Sequence, residues 1–363
     1  MQCLETKKER LSNIELLRII SVFLILVTHA DFWALGEPTT TEIKSNFSSS
    51  FTRIFFESLS IICIDIFVLI SGWFSIRASL KSIIKLLFQV YFLLLVIYLI
   101  YIILGWDTLN LRSLSECFII GHEFWFIKAY LGLLILSSVL NAFVNNVSEK
   151  VLRIVLIAFF TYQCIYAWIT PGAFFLHYGY SITSFAGLYL LARYVRLYIV
   201  EVEKHSEIKL LGGHNQSNFL YLYFFLGFTL LNALLYVLGY YLPIVGLHLR
   251  TMAFAISNPI IVLQSLYLLL YFHNLKISPK PIINFVAVSS LSVFILQSSQ
   301  NAILYKEIIN YIYNNYSGLG CLTIIFSVIV GYFIVGIILD QVRKLFWSKI
   351  ERIVPAVKLY EHN

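Results

Sequence analysis

Apolar runs of about 20 residues recur from one end of this chain to the other, each long enough to cross the hydrocarbon core of a bilayer as a helix. They cover 13–32, 51–76, 83–104, 124–143, 151–170, 182–200, 219–242, 253–273, 285–305 and 319–339. The chain is 60% hydrophobic and 12% charged, where a soluble domain carries ~25% charged residues. The expected fold is all-α, a polytopic transmembrane helical bundle of about ten spans. Polar runs interrupt the ninth segment, at Ser289-Ser290 and Gln297-Ser-Ser-Gln300.

The net charge of +7 comes from where the basic residues sit and is no sign of nucleic-acid binding. With the N-terminus inside, the outer side holds only Lys44, Arg53, Arg112, Lys128, Arg250 and Lys306, and the other loop cations fall on the cytosolic side. That asymmetry obeys the positive-inside rule and predicts cytosolic termini. The first apolar run is too long for a cleaved signal peptide and lacks a small-residue cleavage site. Five scattered cysteines show neither metal spacing nor a disulfide framework. The longest polar stretch, 201–218, reads as a mid-chain cytosolic loop, so residues 1–363 are expected to form one integral-membrane domain. Any chemistry then belongs to the bundle and its short loops.

Arg18 and His29 are ionisable residues inside the first apolar run. Eleven helical steps bring His29 back to within roughly 20° of Arg18, about 16 Å further along the axis. Two such groups on one face suggest a polar interior pathway. Arg18 could equally snorkel to the interface and pair with Glu15, and His29 could hydrogen-bond a neighbouring helix.

Several stretches share an order and a topological placement. They are Arg18-x10-His29 in the first span, Ile64-Asp65-Ile66-Phe67-Val68-Leu69-Ile70-Ser71-Gly72-Trp73 in the second, and the basic turn Arg77-Ala-Ser-Leu-Lys81-Ser-Ile-Ile-Lys85. Gly121-His122-Glu123-Phe124-Trp125-Phe126 opens the fourth, Ser257-Asn258-Pro259 lies in the eighth, and Asp340-Gln-Val-Arg343 ends the tenth. Together they resemble the acyltransferase-3 family of integral-membrane acyltransferases along nearly the whole chain. One position departs from the family's pattern: members often carry a histidine in the ninth span where this chain has Gln297, which cannot shuttle a proton at neutral pH.

The resemblance implies transfer of an acyl group, usually acetyl, from cytosolic acyl-CoA to a hydroxyl of a cell-envelope carbohydrate or glycolipid. It implies no permanently bound cofactor, and acyl-CoA, a sugar acceptor and membrane lipid as partners in the cytoplasmic membrane. Histidine suits the base that such chemistry needs, so His29 is the candidate general base or transient acyl acceptor. Arg18 is the candidate clamp for a CoA phosphate. Lys81 and Lys85 either meet CoA phosphates or serve positive-inside topology alone. Asp65 either orients His29 or forms a structural ion pair. His122, Glu123 and Trp125 are candidates for acceptor binding, with helix-dipole and aromatic-belt roles as the alternatives. Asn258-Pro259 either breaks the eighth helix to expose carbonyls or makes a packed kink.

No phosphate loop, zinc pair, metal-ligand spacing or nucleophile elbow occurs. The competing function is a multi-span transporter or flippase of an envelope glycolipid, with Arg18, His29 and Asp65 as its path. It would favour two similar halves, and Arg-x10-His has no counterpart near the sixth or seventh span.

Overall fold

In hydrocarbon, backbone N–H and C=O groups find partners only within their own helix or a closed barrel, and the chain takes the helical solution. The computed structural model describes residues 11–118, 124–169, 177–200, 217–297 and 300–353, and among them there is no β-strand. Helix α1 (Ser12–Thr28) runs directly into a π-helical turn, His29–Trp33. Short α2 (Thr40–Ser45) precedes α3 (Phe47–Ser60), and α4 (Cys63–Trp73) continues α3 after a break at Ile61 and Ile62. Then come α5 (Leu80–Ile103), α6 (Leu111–Glu116), α7 (Trp125–Asn146), α8 (Glu149–Ile169) and α9 (Ile182–Tyr194), which ends in a second π segment, Val195–Val200. The second half holds α10 (Ser217–Leu238), α11 (Gly246–Ala253), α12 (Pro259–Asn274), α13 (Pro281–Leu296), α14 (Gln300–Asn315) and α15 (Gly318–Ile350).

A helix lies on each of the ten expected segments, but they are not ten equal spans. Six helices among the described residues are long and apolar enough to cross a membrane, or seven if α13 and α14 form one bent span. The difference has local causes. The axes of α13 and α14 meet at 84°, where the polar run at Gln297 interrupts the ninth segment. The eighth is cut to 16 residues because its helix restarts at Pro259. Asn258 makes that restart stable: its Oδ1 accepts the Ile260 N–H at 2.9 Å, and its amide donates to the Met252 and Ala253 carbonyls at 3.1 and 3.2 Å. Proline at the first helical position needs no N–H partner.

The core forms around the first helix, with α1 packed against α3, α4, α12 and α13. Register is readable at both ends. At the start of α1, Ser12 Oγ donates to Asn284 Oδ1 (3.2 Å) and Asn13 donates to the His273 and Leu275 carbonyls. At its far end, His29 meets Gln297 just past α13, so α1 and α13 run parallel. α15 runs antiparallel to them, with Ser289 of α13 against Lys344 and Ser292 against Asp340. A buried polar cluster fastens this layer: Asp340 accepts from Ser292 (2.6 Å), Gln89 of α5 (3.2 Å) and Arg343 Nε (2.7 Å), with Lys344 Nζ 3.2 Å from its other oxygen. Asp340 and Arg343 are both at most 1% exposed, which is tolerable because each charge has the other and Asp340 accepts further hydrogen bonds.

Small residues set the closest approaches. Gly72 of α4 faces α9 so tightly that a Cβ would lie 2.5 Å from the Tyr189 carbonyl oxygen and 2.9 Å from its Cα. These are backbone atoms, which cannot step aside as a flexible side chain would. Gly72→Ala is therefore expected to lower stability by about 1–3 kcal/mol, the usual cost of overpacking. A fall in thermal midpoint in detergent or lipid checks this, and an unchanged midpoint would mean that α4 and α9 are not in contact here.

Candidate functional site

His29 is the first residue of the π turn that ends α1. Such a turn inserts into an otherwise regular ladder and re-aims the side chains on it, and π-bulges are frequent at functional sites. The imidazole Nδ1 lies 2.5 Å from Gln297 Oε1. An amide oxygen only accepts, so with this amide orientation Nδ1 carries the proton. Nε2 then keeps its lone pair, and no described residue hydrogen-bonds it. The position expected to be a missing histidine thus bonds directly to His29 and sets its tautomer. The Trp33 ring lies 5.6 Å from the imidazole, 42% exposed, with Lys306 Nζ 5.5 Å above it.

The same turn carries Asp31, whose Oδ1 accepts from Arg53 Nε of α3 at 2.8 Å. Arg53 also donates to the Gly36 carbonyl and sits over the rings of Phe32 (5.9 Å) and Tyr313 (5.7 Å). One turn further along α3, Glu57 is buried, with Oε2 unpartnered among the described residues. A basic imidazole, an arginine, two carboxylates and an exposed indole therefore gather at this end of the bundle. Tyr305 ties α14 to it by donating to the Leu26 carbonyl at 2.9 Å.

The other expected site residues do not join this group. Arg18 donates to Glu15 Oε2 at 2.8 Å, the pairing anticipated as its structural alternative, and remains 24% exposed beside a nearly buried Glu15. Asp65 is fully buried in the first turn of α4, and neither carboxylate oxygen has a hydrogen-bond partner among the described residues. Among the described residues Asp65 therefore forms neither the expected structural ion pair nor a hydrogen bond to His29. Lys81 Nζ meets Glu351 Oε1 at 2.8 Å at the opposite end of the bundle, and that hydrogen bond holds the Glu351 carboxyl below its usual range. Lys85 acts on the same carboxylate through space. Trp125 packs edge-on against Tyr180 (4.6 Å) and Phe185 (6.4 Å), as part of an aromatic cluster. Asn258 spends its side chain on capping α12. His122 and Glu123 lie outside the described residues.

Sequence reading missed Gln297, Asp31, Arg53, Glu57 and Trp33 as neighbours of His29. Asp31 and Trp33 carried a usable signal, two and four residues beyond His29 in the same run. Gln297 was marked by the polar interruption and by standing where the family often has a histidine, but neither signal placed it against His29.

The acyltransferase-3 family model, described as an acyltransferase domain, matches residues 11–340. No curated protein and no solved structure matches the chain.

The tautomer is directly measurable. Nitrogen NMR of histidine-labelled protein is expected to show His29 protonated at Nδ1, and Gln297→Ala is expected to remove that preference. An Nε2-protonated His29 in the unsubstituted protein would reverse the assignment.

Proposed function

Because the chain belongs to the acyltransferase-3 family and is a membrane acyltransferase, we propose that it moves an acyl group, acetyl in the simplest case, from cytosolic acyl-CoA to a hydroxyl of a cell-envelope carbohydrate or glycolipid. The observation that carries this reading is the bond between His29 Nδ1 and Gln297 Oε1, which leaves Nε2 as the free basic nitrogen. In the proposed step, Nε2 takes the proton of the acceptor hydroxyl as its oxygen attacks the thioester carbonyl. The carbon–sulfur bond breaks, the ester forms, and the departing CoA thiolate recovers the proton from the imidazolium. Gln297 acts as a positioning residue, since its oxygen holds the ring whether His29 is neutral or charged.

The donor is proposed to enter from the end that carries Lys81, Lys85 and Arg18. A partly exposed Arg18 retains donors beyond the one it gives to Glu15, and a guanidinium suits a phosphate. The acceptor is proposed to arrive at the His29 end. There Trp33 offers an exposed aromatic face and Arg53 and Lys306 offer hydrogen-bond donors, a role for which Trp33 is better placed than Trp125. The bundle would then lie in the cytoplasmic membrane with both termini cytosolic.

The test is acetyl-CoA turnover by purified protein in lipid, with envelope glycans supplied and folding checked for each variant. His29→Ala is expected to lower turnover by about 100-fold or more, the range of general-base catalysis. Gln297→Ala is expected to lower kcat by about 10- to 100-fold, as when a partner that orients a metal-bound histidine is lost, with the donor KM little changed. Arg18→Ala is expected to raise the donor KM. Full turnover by folded His29→Ala protein would remove His29 from the chemistry.

A further inference from the structure

A cavity with almost no polar lining opens beside Leu296, the residue before Gln297, and plays no part in the step just described. It encloses about 420 Å³ between α5, α14 and α15, within the size range of small-molecule sites. Its inner wall includes Leu296, the residue before Gln297, and Asn301, which is buried. Its mouth passes Trp106 (60% exposed) and Val335 (47% exposed), on the apolar flank of the bundle. Near Trp106, the Tyr101 hydroxyl is buried without a hydrogen-bond partner among the described residues, and apart from it, Asn301 and the Tyr332 hydroxyl the wall is aliphatic and aromatic. Gly331 opens the floor: a Cβ there would meet no atom within 4 Å.

These features describe a hydrocarbon slot whose inner end reaches Leu296 and Asn301, next to the Gln297 that bonds His29, and whose other end lies on the exposed apolar flank. A sugar or a CoA phosphate finds almost no hydrogen-bonding partner in it, whereas an alkyl or isoprenoid chain loses no polar contact on entering from the bilayer. We propose that this cavity holds the hydrocarbon chain of a substrate, with the head group at His29 and the chain leaving past Trp106. The same chemistry has two sources, the lipid tail of the acceptor and a long acyl chain of the donor. The cavity's place beside the outer half of α5, away from Lys81 and Glu351, favours the acceptor tail. This rests on the acyl-transfer reading, and it narrows the acceptor to a lipid-borne sugar.

The test reads occupancy, not turnover. Protein in lipid nanodiscs is photolabelled with a diazirine-bearing alkyl glycoside, a diazirine-bearing fatty acyl-CoA and a diazirine-bearing phosphatidylcholine, and the labelled residues are mapped by mass spectrometry. Labelling of α5 and α15 cavity residues by the glycoside is expected, with a several-fold loss in Gly331→Leu, whose Cβ meets no protein atom within 4 Å. Val335→Trp, which narrows the mouth, should give the same loss if Gly331→Leu folds poorly. Labelling by the acyl-CoA in place of the glycoside, with the same sensitivity, keeps the slot and assigns it to the donor chain. No cavity labelling, labelling unaffected by both variants, or equal labelling by phosphatidylcholine overturns the proposal by making the slot ordinary bilayer-facing surface. A protein that labels as expected but never consumes acyl-CoA would remove the acyl-transfer reading and leave the slot standing.

Discussion

The governing constraint is that backbone polar groups in an apolar medium must be satisfied locally. Several departures from regular helix in this bundle are matched by a specific replacement. Where α12 restarts, Asn258 supplies the acceptor and donors that the break removes. Where α5 starts, Ser79 and Ser82 cap each other's backbone reciprocally. Asn46 and Ser181 do the same work for α3 and α9. The π turn at His29–Trp33, like the one at Val195–Val200, continues its helix without a break. It brings a histidine, an aspartate and a tryptophan to one end of α1 without opening the backbone.

What the sequence made legible follows the range of the interactions involved. Apolar runs are local, and helices occupy all of them. The Arg18–Glu15 pair is a three-residue relation, and it forms as one of two anticipated outcomes. The span count was harder, because a run of suitable composition does not reveal that Pro259 shortens one helix or that polar residues around Gln297 bend another. Hardest were the long-range partners. Nothing in the ninth segment announces that Gln297 faces His29, and Arg53 looked like an outer-loop cation before its pairing with Asp31 was visible. Asp65 shows the opposite failure: a buried carboxylate argued for a partner, and the structure gives it none among the described residues.

The division of polarity along the bundle is equally instructive. The Lys81–Glu351 end is an exposed ionic surface, the Asp340–Arg343 cluster is a sealed joint, and the His29 end mixes an exposed indole with buried charges. Only the last combines an exposed aromatic face with an imidazole nitrogen that has no hydrogen-bond partner among the described residues. Burial of ionisable residues therefore separates into two kinds here. Asp340 and Arg343 pair with each other inside a cluster that holds helices together, whereas His29 is held at Nδ1 and has no partner at Nε2 among the described residues.

The pairing of His29 with Gln297 spans 268 residues, and the bond from Tyr305 to Leu26 spans 279. At ribosomal rates of about 5–20 residues per second, the first helix waits roughly 10–50 s after its own synthesis before its partners emerge. During that interval Arg18 has Glu15 and Asp31 can meet Arg53 of α3, but His29 in the π turn is without Gln297. The first helix must therefore enter the bilayer on its apolar residues alone, or remain at the insertion machinery until the C-terminal third arrives. Assembly of the histidine centre is in this sense the last event in the biogenesis of a helix that is made first.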